Sequence, residues 1–193
     1  MSDLTFAEVM KLTSTISSHT AFEEAEGEKY FELLMSLPAR SNIVEIGLQF
    51  GRSSSIALQV AKVHKLIYWG VDPFKNPPDS REAWFRMVKK IDMPDYNVLV
   101  DMSQMASAWL PARTHLALID GDHYADGVRH DIEMMAPLIV PGGYLLFHDY
   151  GHESLPDVYP TVNAYMVQEA MDGTQWEEEP TVGCLGVWRK KGG

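Results

Sequence analysis

The chain is poor in cysteine, in basic charge and in long apolar runs, and each shortage removes a class of protein. Cys184 is the one cysteine among 193 residues, so no disulfide can close within the chain and no zinc site can be built from several thiolates. It reads as a small buried residue of a late strand. Lys and Arg number 16 against 27 Asp and Glu, giving a formal net charge of −11. That balance repels phosphate backbones and anionic membrane surfaces, and no run of basic residues offsets it locally. Neither nucleic acid nor membrane is expected as a partner. No apolar stretch approaches the roughly 20 residues needed to cross a bilayer, and no basic segment followed by an apolar one opens the chain. A cytoplasmic protein is expected.

What remains is ordinary globular material. The hydrophobic fraction of 46% and charged fraction of 22% fit one domain with a substantial core. A single domain over 1–193 is expected, with a helical cover over 1–40 and the core over 41–193. From Ile43 onward short β-type runs alternate with helical patterns, the mark of βαβ units. Strands are expected at Ile43–Ile46, Leu66–Val71, Asn97–Val100, Leu116–Ile119 and Tyr144–Phe147. Helices are expected near Ser53–Val63, Arg81–Ile91, Gln104–Trp109 and Gly127–Leu138, each fitting a right-handed crossover. A further helix around Thr161–Met171 precedes two β-like runs, Gln175–Glu178 and Cys184–Arg189, that read as an antiparallel hairpin. The fold class is therefore α/β: a Rossmann-like, doubly wound, mostly parallel sheet of about seven strands, with N-terminal helices over Leu4–Leu37.

The stretch VEIGLQFGRSSSIAL, Val44 to Leu58, carries the first functional signal. An apolar strand runs into a glycine loop and then a helix, and ligands of open parallel sheets bind at such strand ends. Gly47 and Gly51 allow a tight turn and close backbone approach, with Glu45 near the strand end. Ser53, Ser54 and Ser55 are expected to cap the helix, whose N-terminus favours an anionic ligand group. The spacing E-x-G-x-x-x-G differs from the dinucleotide fingerprint, which favours S-adenosylmethionine over NAD. Asp72 ends the second strand where an acid holds ribose hydroxyls, and Ser103, in Asp101-Met102-Ser103, stands where an adenine would be met.

The fourth strand ends in LIDGDHYADGV and the fifth in LLFHDY. Asp120, Asp122 and His123 thus share one loop, and His148 and Asp149 the next. Carboxylates converging on one point repel, and a bound cation resolves the repulsion. Oxygen ligands suit Mg²⁺, while an imidazole from His148 tilts preference towards Mn²⁺, Fe²⁺ or Zn²⁺. His123, with an unperturbed pKa of about 6.5, suits a general base.

Together these motifs resemble the class I S-adenosylmethionine-dependent methyltransferases, in particular the metal-dependent group of macrocin O-methyltransferases and cephalosporin hydroxylase-like proteins. The resemblance runs over roughly residues 43–150, and its distinctive part is LIDGDHYADGVRHDIEMMAPLIVPGGYLLFHDY. It implies that Glu45, Gly47, Gly51, Ser53, Asp72, Ser103 and Asp120 meet the cofactor. It also implies that Asp120 and Asp149, with His148, hold Mg²⁺ or Mn²⁺, and that His123 is the base. Some relatives have Glu-Asp where this chain has His148-Asp149. The acceptor implied is a small molecule bearing a hydroxyl. A metal-independent methyltransferase, a non-catalytic binder of S-adenosylmethionine, and the choice between monomer and homo-oligomer all stay open at this point.

Overall fold

Short aliphatic runs buried on both faces make the centre of the sheet. In the computed structural model, which describes residues 4–16, 22–75, 77–169 and 176–192, β1 (Asn42–Ile46) pairs in parallel with β2 (Ile67–Val71) on one side and β4 (Thr114–Ile119) on the other. β3 (Asn97–Leu99) lies outside β2, and β5 (Ile139–Phe147) lies outside β4. The order is β3-β2-β1-β4-β5-β7-β6, with β7 (Leu185–Lys190) and β6 (Trp176–Val182) closing one edge as antiparallel strands. The expected doubly wound sheet with a C-terminal hairpin is the observed one.

Strand residues alternate between two cores. Ile43, Tyr68, Leu116, Leu118 and Leu146 pack under α1 (Phe6–Ile16), α2 (Glu24–Ser36), α3 (Arg52–His64) and α4 (Ser80–Ile91). Val44, Ile46, Val71, Ala117, Ile119 and Phe147 pack on the other face. That face is covered by α5 (Ser103–Ala106), α6 (Ala125–Met135) and α7 (Val158–Glu169). Among the described residues no helix is long and apolar enough to cross a membrane.

Three boundaries depart from expectation, each for a local reason. β5 begins at Ile139 and runs through Pro141-Gly142-Gly143, because its pairing with β4 shifts register between Thr114 and Leu116 and absorbs the irregular segment. β6 passes through Pro180, which an outermost strand tolerates because one side of it needs no ladder donor. α7 starts at Val158 with Pro160 in its first turn, where the missing N–H has no intrahelical role. The expected helix end at Met171 and strand start at Gln175 lie outside the described residues.

The order in which strands are added reverses between β1 and β4, and there the loops leaving these two parallel strands diverge to opposite faces. Gly47 leaves β1 with φ of 87°, and a Cβ there would overlap the Asp120 carbonyl oxygen. Gly51, also left-handed at φ of 81°, would bring a Cβ to 2.6 Å from the tip of Met87 and 2.9 Å from Trp84. Both Ala substitutions meet the left-handed backbone penalty, so their difference reports the clash. Gly47→Ala is expected to lose more than about 3 kcal/mol in urea unfolding, combining that penalty with overpacking against main chain that cannot yield. Gly51→Ala should lose less, since the methionine tip can move. A Gly47→Ala protein as stable as wild type would contradict the close approach.

Candidate active site

The carboxyl ends of β1, β2, β4 and β5, with the segment following β3, surround one cavity of about 540 Å³. Gly47 and Gln49 line it from the loop after β1, Asp72 and Pro73 from the end of β2, and Ser103 from the start of α5. Asp120 and His123 line it after β4, His148 and Asp149 after β5. Seven of the ten cofactor, metal and base candidates of the sequence are therefore brought to one place, with Asp122 beside them.

Asp72 organises the near side. Its Oδ2 accepts hydrogen bonds from the backbone N–H groups of Leu48 (2.7 Å) and Gln49 (2.9 Å), and its Oδ1 accepts one from Phe74. The loop after β1 is thereby tied to the end of β2. Each carboxylate oxygen has two lone pairs, so Oδ1 keeps an acceptor site for a ligand hydroxyl.

Glu45, Gly51 and Ser53 are not on the cavity wall. Strand alternation turns Glu45 to the face opposite Val44 and Ile46, where it is completely buried and accepts hydrogen bonds from Tyr30 (3.2 Å) and Tyr68. Burial raises its pKa against the pull of those donors. Gly51 is itself the N-cap of α3, with no side-chain cap, and the three serines are buried in the first turn rather than capping it. Ser54 bonds Tyr68 at 3.1 Å and Ser55 bonds Thr13 at 2.8 Å. Glycine spacing marks a turn, but it does not tell which face the neighbouring side chains take.

On the far side the ionisable groups crowd. His123 Nε2 lies 2.9 Å from Asp149 Oδ2 and 3.7 Å from Asp120 Oδ1. His148 Nδ1 lies 3.2 Å from Asp120 Oδ1 and 3.3 Å from Asp149 Oδ2. These are contacts of distance rather than of aligned donor and acceptor, since both ring nitrogens are buried without a well-formed hydrogen bond. Asp120 and then Asp149 push His123 up to about 9. Burial opposes charge on His148, but Asp120, Asp149 and Glu26 outweigh it and push the imidazole up to about 12. Burial likewise opposes the Asp149 charge, and the two histidines overcome it and hold the carboxyl well below the usual range. Both imidazoles are thus biased towards the protonated form, so a base role for His123 requires that its proton first be displaced.

Ligand atoms of Asp120, His123 and Asp149 lie within 4.8 Å of one another at the cavity, a donor set that fits a divalent cation. His148 stands behind this group, with Nε2 against Glu26 Oε2 at 3.3 Å. Asp149 itself has φ of 56°, a left-handed conformation rare for a residue with a side chain, which aims its carboxylate at the group.

Two residues at the site escaped the sequence reading. Glu26 on α2 is buried, accepting from Cys184 N at 2.6 Å and Glu23 N at 2.7 Å in addition to its contact with His148. Asp131 on α6 lines the cavity at 1% exposure, its Oδ1 without a partner among the described residues. Burial pushes its pKa up to about 6 against a hydrogen bond from Ser103. Both could have been found by helical spacing: Glu26 sits four residues before core Tyr30, and Asp131 shares a face with Val128, Ile132 and Met135.

A family model described as a methyltransferase domain matches residues 44–150, more than half of the chain and all of the cavity's strand ends. The chain belongs to that family. Its sheet is that of the class I S-adenosylmethionine-dependent methyltransferases. Among solved structures, the O-methyltransferase NovP matches with TM-score 0.74 at 16% identity, over 96% of this chain and 98% of that one. CalS11, a TDP-rhamnose 3'-O-methyltransferase, matches with TM-score 0.68 at 14% identity, over 98% and 87%. An O-methyltransferase from Bacillus cereus in complex with SAH matches with TM-score 0.67 at 15% identity, over 99% and 92%. At these identities the likeness is one of fold. An uncharacterized protein of Acanthamoeba polyphaga mimivirus is 30% identical over 127 residues, 62% of this chain, and the match spans 57% of that protein's length.

The burial of Glu45 away from the cavity of this methyltransferase domain gives a direct test. Tyr68→Phe removes a charge-assisted donor from a fully buried carboxylate and should lower stability by about 1.5 to 3 kcal/mol in chemical denaturation. Ligand affinity per folded molecule should be unchanged. A variant that folds normally but loses ligand binding would return Glu45 to the site.

Proposed function

We propose that this chain is an O-methyltransferase that moves a methyl group from S-adenosylmethionine to a hydroxyl of a small molecule, assisted by a divalent cation. The observation that carries the reading is the pairing, in one cavity of a methyltransferase domain, of Asp72 at one side with Asp120, His123 and Asp149 at the other. The likeness in fold to the O-methyltransferases NovP, CalS11 and that of Bacillus cereus supports oxygen as the atom methylated.

In this reading Asp72 accepts hydrogen bonds from the ribose hydroxyls through its free lone pair, while Gly47 lets the main chain approach the cofactor and Ser103 meets the base. Asp120 and Asp149 would hold the cation, with His123 beside them as the base; His148, pressed on Glu26, keeps the two carboxylates oriented. When bound, the sulfonium supplies an electrophilic methyl, and the cation supplies a positive charge that acidifies a nearby hydroxyl. The S–CH₃ bond would break as the O–CH₃ bond forms, and the hydroxyl proton would pass to His123 Nε2 once a cation on Asp120 and Asp149 has displaced the proton held there. In-line displacement needs mainly that the reactants be held in geometry, which is what a cleft of fixed strand ends does.

A second reading is favoured by the paired charges. His123 and His148 already neutralise Asp120 and Asp149 when protonated, so the same cluster can stand without a cation, and the enzyme would then be metal-independent. Titration calorimetry and chelation separate the readings. Wild-type protein should bind S-adenosylmethionine and its demethylated product. Asp72→Ala should weaken binding by about 1.5 to 3 kcal/mol, roughly 10- to 100-fold, as expected for lost hydrogen bonds to a charged group. Chelator should abolish turnover and added Mg²⁺ or Mn²⁺ restore it, with Asp120→Asn more damaging than Asp122→Asn. Absence of binding at millimolar concentration would sink the methyl-transfer reading; turnover surviving exhaustive chelation would leave only the metal-independent one.

A further inference from the structure

Helix α6 presents Val128, Ile132 and Met135 to the core, all buried, and interrupts that apolar face with Asp131. A carboxylate among such neighbours is costly unless something donates to it. Its Oδ1 is buried without a partner among the described residues, yet the residue lies on the cavity wall. Gly121 opens the way: a Cβ there would stand 3.1 Å from Asp131 Oδ2 and 3.2 Å from Ile46 Cγ2. Around it the cavity is lined by Ile46, Val71 and Met102, with Ser103 and Gln104 at the start of α5, which packs on α6. Apolar Ile46, Val71 and Met102 thus share the cavity wall with a carboxylate that, when ionised, can only accept.

We propose that Asp131 is the residue that selects the base of the methyl donor, its unpartnered oxygen accepting an N–H of the adenine exocyclic amine. The inference rests on the proposed use of S-adenosylmethionine and assigns to that site a specificity determinant outside the strand-end motifs. An aminopurine suits this wall because its faces are apolar and its edge carries a donor; Met102 offers a polarizable thioether to such a ring. A hypoxanthine in the same place would set a carbonyl oxygen against the carboxylate, acceptor against acceptor. A site built around one hydrogen bond rejects an analogue lacking the matching group strongly, because the buried partner is left bare.

The test compares S-adenosylhomocysteine with S-inosylhomocysteine by titration calorimetry on the full chain. Wild-type protein should bind the adenosyl compound at least about 10-fold more tightly. In Asp131→Asn the side chain keeps its shape and gains an amide N–H, which can donate to the hypoxanthine carbonyl. The preference should shrink to a few-fold or reverse, with affinity for the inosyl compound rising in absolute terms. Equal affinities in wild type would overturn the proposal without any variant, and so would a wild-type preference that Asp131→Asn leaves unchanged. The latter result would confine the carboxylate to its bond with Ser103. Failure of wild type to bind either compound would instead overturn the methyl-donor reading and this inference with it.

Discussion

The site depends on how closely two neighbouring strand ends can lie. β1 and β4 are parallel partners, with Ile46 beside Ile119, and the chain leaving β1 passes against the Asp120 carbonyl at a point where no side chain fits. Gly47 N donates to Val71 O and Asp120 N donates to Ile46 O, so the three strand ends β2, β1 and β4 are stitched before any ligand arrives. Asp72 then fixes the loop beyond. The cleft is a consequence of parallel pairing plus one missing Cβ, and the charged groups are delivered to it by strand length.

Those charged groups form a chain that runs from the core to the cavity. Glu26 touches His148, His148 touches Asp120 and Asp149, and these touch His123 at the surface of the cleft. Alternating acid and imidazole lets five ionisable groups share a half-buried space, and in the proposed reading a proton on His123 and a divalent cation would compete at its open end for the same two carboxylates. With a proton there, His123 is an acid; with a cation there, it is a ligand or a base. Glu26 ties this arrangement to the hairpin as well, since its carboxylate also accepts from Cys184 N. Helix α2 therefore supports the charged group of the site as well as covering the sheet.

The layer order was legible in the sequence because aliphatic runs and helical patterns alternate cleanly after Ile43, and a buried parallel strand leaves that signature. Gly47, Asp72, Ser103, Asp120, His123, His148 and Asp149 were legible as cleft residues because strand ends in such a sheet all point one way. Glu45 was not: one residue of register decides which face a strand side chain takes, and the motif spacing is silent on it. Gly51 and Ser53 follow the same rule, turned inward by a helix whose cap is the glycine itself. Glu26 was hidden in an acidic stretch, EEAEGEKYFE, that looks solvated, although its spacing to Tyr30 places it on the buried stripe. Its partners, Cys184 and His148, are more than a hundred residues away, and only the closed sheet brings them together.

In the proposed function one cavity seats the methyl donor against Asp72 and a cation against Asp120 and Asp149, beside His123. Crystals grown with S-adenosylhomocysteine and Mn²⁺ test it most directly, because manganese can be located by its own anomalous scattering. An anomalous peak within coordination distance of Asp120 and Asp149, with ribose density at the Asp72 carboxylate, is the expected result. Ribose density elsewhere, or nucleoside bound at Asp72 with no manganese peak between the two aspartates, would contradict it.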